Sequence, residues 1–196
     1  MDWRERYEQA AARYAAGETR EPDERQLVQL ANSAWAAGLC LLMAGERDQA
    51  AAWLRRSAER YRESWQAGST SWGRQIGALK ALLIAGDDAG DAAGWALDAG
   101  AAASESPIGR YAGALALLVL DRDEEAAAVA ATLGEDFPRD VAEALAALAA
   151  RDTNAFRAAS TRIRISFEAR DALLEDIPVP DTALALEALA ARRGLG

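Results

Sequence analysis

The side chains that could carry chemistry are few. The chain has 196 residues, no histidine and a single cysteine, Cys40. That removes Ser-His-Asp triads, Cys-His pairs and histidine-ligated metal sites, and one thiol cannot build a cysteine zinc site. Carboxylates and arginines remain. Glu5/Glu8 and Glu21/Glu24 have the Glu-x-x-Glu spacing of carboxylate metal sites, but the first pair fits helix capping and the second straddles Pro22. Asp87, Asp88 and Asp91 cluster with Gly86 and Gly90, yet the terminal glutamate of a calcium loop is missing. Turn and helix N-cap chemistry accounts for that cluster. Neither standard phosphate-loop spacing occurs. Arg162 and Arg164 diverge by about 200° on a helix, which reads as a solvated face with one arginine turned to acid residues rather than an anion site. No catalytic residue, metal or cofactor is expected.

Six tryptophans, at 3, 35, 53, 65, 72 and 95, read mostly as core, and place the thick part of the core in the N-terminal half. Trp53 is the exception. It neighbours Leu54, and the two cannot share one helix face. With Leu54 in the core, Trp53 is left partly exposed, in a groove with Trp72, Arg74 and Tyr111. Tryptophan beside arginine and tyrosine has the composition of an interaction hot spot. These four are the candidate partner-binding residues.

The elements that must position them are helical. Just over half the chain is apolar, alanine makes up roughly a quarter of it, and proline is scarce. Ten helices fit the 3.6-residue pattern. The first runs Trp3 to Ala16, capped by Asp2 and ended by Gly17 in a left-handed conformation. A linker, Thr19 to Glu21, precedes a second helix with Pro22 in its first turn, ending at Gly45. A third spans Asp48 to Gln66, and a fourth, capped by Ser69 or Ser71, ends at Gly86. A fifth, Ala89 to Ala102, is weakened by Gly90, Gly94 and Gly100, with Gly94-Trp95 marking a close helix crossing. Ser106-Pro107 opens the sixth. The remaining helices start near Glu124, Arg139, Asn154 and Asp181.

Four internal turns, at Gly45, Gly86, Asp121 and Arg151, are separated by 41, 35 and 30 residues, a drifting helical-pair period. The expected fold is all-α: stacked antiparallel helical hairpins, about nine or ten helices, as one domain over residues 1–196. Residues 177–196 form a C-terminal capping helix after the Pro178-Val179-Pro180 linker.

The formal charge is −9. An acidic surface disfavours nucleic acid and anionic membranes and favours a basic partner or solubility. Lys80 is the only lysine against 21 arginines, which reflects either a GC-rich genome or a high-salt cytoplasm, that of a halophile. The N-terminus is charged from Asp2 onward, unlike a signal peptide. No run of about 18 apolar residues would span a membrane. The unpaired Cys40 fits a reducing, cytoplasmic setting.

The hairpin from Leu30 to Trp65 resembles a tetratricopeptide repeat. Gly38, Gly45, Ala50 and Ser57 stand at that family's small-residue offsets, with Leu41 and Leu54 as larger fillers. Trp35 is one position from the usual tryptophan, and the closing proline is absent. The turn from Asp121 to Ala126 keeps the alanine without the glycines. The match spans about 34 residues and implies an α-α superhelix that binds protein. Roughly the last 50 residues, from Ala146 to Phe156 and from Asp181 to Gly194, are similar in layout to Imm49-type all-helical bacterial immunity proteins, which neutralise toxins. The resulting expectation is a non-enzymatic, cytoplasmic protein-binding module, toxin-neutralising in its most concrete form, with a basic protein partner. The alternatives are a self-associating scaffold, a homodimer in its simplest form, and a carboxylate-based helical enzyme.

Overall fold

Each of the four turns anticipated from sequence closes in the same way. At the first, Gly45 N–H donates to Leu42 O (3.1 Å) and Glu46 N–H to Leu41 O (2.9 Å), with Gly45 at φ +85°. The same paired bonds recur at Gly86/Asp87, Asp121/Arg122 and Arg151/Asp152. All four central residues are left-handed, including Asp121 (φ 56°) and Arg151 (φ 54°). This is the Schellman ending, which satisfies the last helical carbonyls and turns the chain back.

The computed structural model describes residues 2–18, 21–170 and 172–195. It is all-helical, and no strand occurs among the described residues. The chain divides into two compact units: residues 2–87 with 172–179, and residues 88–170 with 180–195. Helices that pack mainly on their sequence neighbours have no shared centre that forces one domain.

In the first unit, α1 (Trp3–Gly17), α2 (Glu24–Met43), α3 (Arg47–Gln66) and α4 (Gly73–Ala85) stack in chain order. Three bonds fix α2 and α3 as antiparallel: Ser57 Oγ to Ala31 O (2.9 Å), Tyr61 Oη to Asn32 Oδ1 (2.7 Å) and Ser64 Oγ to Glu24 Oε1 (2.9 Å). Their backbones approach where a side chain on Gly38 would meet Leu54 at 2.7 Å and the Ala50 carbonyl at 3.2 Å. Helix α3 runs antiparallel to α4, where the Tyr61 ring occupies the space of a Gly77 side chain. It runs parallel to α1, with Arg4 bonded to Glu46 and Arg60 to Glu18. Helix α2 is covered nearly all round in its second half, from Ser33 to Leu41, a wider face than the single stripe of the sequence pattern. It is long and apolar enough to cross a membrane, but 67% of that window is buried inside the protein.

Several local expectations change. Gly17 does not take a left-handed φ; its missing side chain instead makes room for Leu30, 3.1 Å away. Pro22 lies outside α2, which opens with a reciprocal capping box between Asp23 and Gln26. Thr19 and Arg20 of the expected linker lie outside the described residues.

The second unit holds α5 (Gly90–Asp98), a 3-10 turn (Ala101–Ala103), α6 (Pro107–Val119), α7 (Asp123–Ala130), α8 (Arg139–Ala149), α9 (Thr153–Glu168) and α10 (Asp181–Arg192). Trp35 is buried, and the other five tryptophans are only partly so. The second unit builds its core from leucine and alanine, with Leu115, Leu118, Leu145, Leu148 and Leu186 fully buried. Helix five ends early because Gly100 turns left-handed (φ +86°). Gly94 faces open space and marks no helix crossing; Gly113 does, with the Ala102 backbone 2.5 Å from where its Cβ would stand. Helix α10 is tied down at its end by Arg193, whose side chain is 3% exposed. Arg193 donates to Leu118 O (2.6 Å) and to Asp123, which also pairs with Arg151 at 2.9 Å. Those contacts help to hold the two non-glycine turns, each costing about 1–2 kcal/mol.

Two glycines therefore respond oppositely. Gly113→Ala forces a methyl against backbone and should destabilise by about 1–3 kcal/mol. Gly94→Ala adds helix propensity at no steric cost and should stabilise by up to about 1 kcal/mol. Urea unfolding followed by circular dichroism reads both, and equal effects would refute this packing.

Candidate functional site

The four residues anticipated as a groove are each engaged in packing or bonds within their own unit. Trp53 is half-buried at the α1–α3 seam, with its ring edge-on to Tyr14 (5.2 Å, 84°) and to Tyr7 (6.2 Å, 74°). The Arg56 guanidinium lies 4.8 Å over it. Leu54 is indeed fully buried, as reasoned, but α1 covers the side on which Trp53 emerges. Trp72 packs against Trp65 at 5.7 Å, and Trp65 lies twelve residues, about 18 Å, along α3 from Trp53. Tyr111 belongs to the second unit, where it is buried against Phe137 at 5.4 Å. Burial pushes its hydroxyl pKa up, with the Asp181 charge adding to the shift. Trp53→Ala should thus cost about 2–3 kcal/mol of stability through lost aromatic packing, read as a drop in thermal midpoint. A negligible shift would mean that the seam carries no load.

Arg74 is engaged, not free. Its Nε donates to Ser64 Oγ (3.0 Å) and its Nη2 to Glu24 Oε1 (2.9 Å), and Ser64 is fully buried. These bonds, Arg74 first and Ser64 second, hold the Glu24 carboxyl below its usual range. A depressed carboxylate contributes stability above its unfolded pKa, and that contribution is lost as pH falls through the folded value. Wild type should therefore lose stability on acidification below about pH 4.5, and Glu24→Gln should flatten part of that slope while lowering stability at neutral pH. Parallel acid titrations of unfolding free energy check this; identical slopes would count against the pairing.

The other polar candidates are also spoken for. Arg162 bonds Asp140 (2.8 Å) and Glu143, and Arg164 grips Glu187 with two bonds, so neither waits for an anion. Asp87 receives two bonds from Arg55, and Asp88 caps the Gly90 N–H at 2.9 Å. Among the described residues, no three His, Cys, Asp or Glu side chains converge as a metal site would need. Gln75 is the misfit. It is fully buried and both its amide atoms lack a hydrogen-bond partner, a cost of about 1–3 kcal/mol.

One feature of the first unit was not anticipated from sequence. Residues 172–179 leave the α-helical pattern, form a 3-10 turn at Leu174–Asp176 and lie on α1 and α2 as a strap. Arg6 Nη1 donates to Asp176 O (2.7 Å), and Arg13 pairs with Glu175 (3.0 Å). Ile177 and Val179 are 2% and 1% exposed, while Leu174 projects outward. Glu175 and Asp176 both take left-handed φ (54° and 56°), at a cost of about 1–3 kcal/mol each. That strain rivals the gain of about 1.5–3 kcal/mol from burying each aliphatic anchor. The ion pair, half-exposed on the Arg13 side, adds no more than about 1 kcal/mol. A cavity of about 300 Å³ remains beside Glu175, walled by Arg13, Gln26, Gln29, Leu30 and Ser33. The prolines at 178 and 180 announce an extended segment; nothing in the sequence says which surface it meets.

Compared with family models, curated proteins and solved structures, the chain matches none of them.

Proposed function

We propose that this chain is a non-enzymatic protein-binding module that works in the cytoplasm. One observation carries the reading: the first helical unit already seats an irregular stretch of polypeptide, residues 172–179 with a 3-10 turn at Leu174–Asp176, on its α1–α2 face. A helical stack that holds a turn of irregular chain through arginine side chains, with aliphatic residues buried beside it, has the means to hold another protein's chain. The face uses side-chain bonds and shape, the ordinary currency of recognition. The chain's net charge of −9 would also steer a basic partner, a toxin among them, to the rest of the surface.

Affinity capture from native lysate at the source organism's own salt concentration tests the reading. The expected result is one protein at stoichiometric yield, whose purified form then binds in calorimetry. Recovery of this chain alone, with a mass by light scattering that rises with concentration, would instead identify a self-associating scaffold.

A further inference from the structure

We propose that the strap at residues 172–179 is a built-in competitor, occupying a seat on α1 and α2 that takes a short turn-forming peptide combining adjacent acidic residues with aliphatic anchors. The inference rests on the protein-binding reading and specifies its partner.

Four observations carry it. First, the strap is a peptide in a seat and not a piece of the helical framework. Its own backbone bonds close locally: Asp176 N–H to Leu173 O, Ile177 N–H to Leu174 O and Val179 N–H to Ile177 O. The bond reaching it from a helix comes from a side chain, Arg6 to Asp176 O. Lifting it therefore breaks no helical hydrogen bond. Second, the seat has a defined chemistry. Arg6 and Arg13, one helical interval of seven residues apart on α1, meet the backbone at Asp176 and the carboxylate of Glu175. Ile177 and Val179 follow as buried anchors on either side of Pro178, where the Val179 N–H to Ile177 O bond closes a tight turn. Third, the strap fits imperfectly. It places two consecutive non-glycine residues in left-handed conformations and leaves the cavity beside Glu175 unfilled. An unconstrained peptide with the same pattern can relax those dihedrals and fill that space. Fourth, the chain continues into the second unit on both sides of the strap, so a displaced strap stays covalently tethered at each end.

The consequence is a conformational tax: the observed affinity for a partner peptide equals the intrinsic affinity reduced by the fraction of molecules with the seat open. The test uses a fluorescein-labelled peptide, Leu-Leu-Glu-Asp-Ile-Pro-Val-Pro, followed by anisotropy at physiological salt. Its hosts are the full wild-type chain and the full chain carrying Ile177→Asp and Val179→Asp, which ejects the strap. The ejected variant should bind the peptide at least about tenfold more tightly than wild type. Adding Arg6→Ala and Arg13→Ala to that variant should lower the affinity again, and a peptide with Lys-Lys in place of Glu-Asp should not bind. Equal binding by both hosts would overturn the proposal, as would no binding by a variant whose circular dichroism matches wild type. Hydrogen exchange on wild type needs no variant: the amides of Asp176, Ile177 and Val179 should exchange at least about a hundredfold faster than the core of α2. Exchange of the strap only at the α2 rate would also overturn it. A lysate partner that binds without displacing the labelled peptide sinks the strap inference and leaves the module standing.

Discussion

The structure depends on how closely alanine- and glycine-rich helices can approach. Where a side chain on Gly38 would strike Leu54, or one on Gly77 would strike the Tyr61 ring, backbones are drawn within reach of each other's side chains. Such contacts let α2 be covered by its neighbours around most of its second half while its core positions are filled largely by alanine and leucine. Packing of this density tolerates little added volume at the crossings, and it fixes each helix against the next without a shared centre. The division into two units follows from that local logic.

Electrostatics serve the same framework. Almost all the positive charge is arginine, and its fork geometry suits the interhelical pairs seen here. Arg74 ties α4 to α2 and α3 through Glu24 and Ser64; Arg164 ties α9 to α10 through Glu187. Arg193 is the extreme case. Almost wholly buried, it joins the ends of α6 and α10 to the start of α7, in the same charge cluster as the two left-handed non-glycine turns. At Asp123, burial pushes the carboxyl upward, but the bonds from Arg193 and Arg151 outweigh it and leave the group below its usual value. These arginines are structural parts, which explains why residues with the look of a binding surface in sequence turn out to be occupied.

The strap stands apart from this economy. It is the place in the first unit where backbone strain, unfilled volume and side-chain-only attachment coincide. The four hairpin turns at Gly45, Gly86, Asp121 and Arg151 end in paired Schellman bonds; the strap has none. A segment assembled so differently from its surroundings is most simply understood as a ligand that happens to be covalently attached.

By itself, the sequence determined the class of structure and the places where it bends. Helix periods, the Asp2 cap, Ser106-Pro107 and the turns at Gly45, Gly86, Asp121 and Arg151 are local chemistry, decided within a few residues, and each is legible without coordinates. The proposed groove was not. Trp53 was rightly separated from Leu54, but whether its outer face meets water or α1 depends on a helix some forty residues earlier. Trp72, Arg74 and Tyr111 were joined to it by composition alone. Tertiary structure decided that Trp53 belongs to a seam, that Arg74 is bound to Glu24, and that residues 172–179 return to the first unit. The physical reason is range: helix and turn formation is settled by neighbours in the chain, whereas which side chain faces which is settled by packing between elements far apart in it.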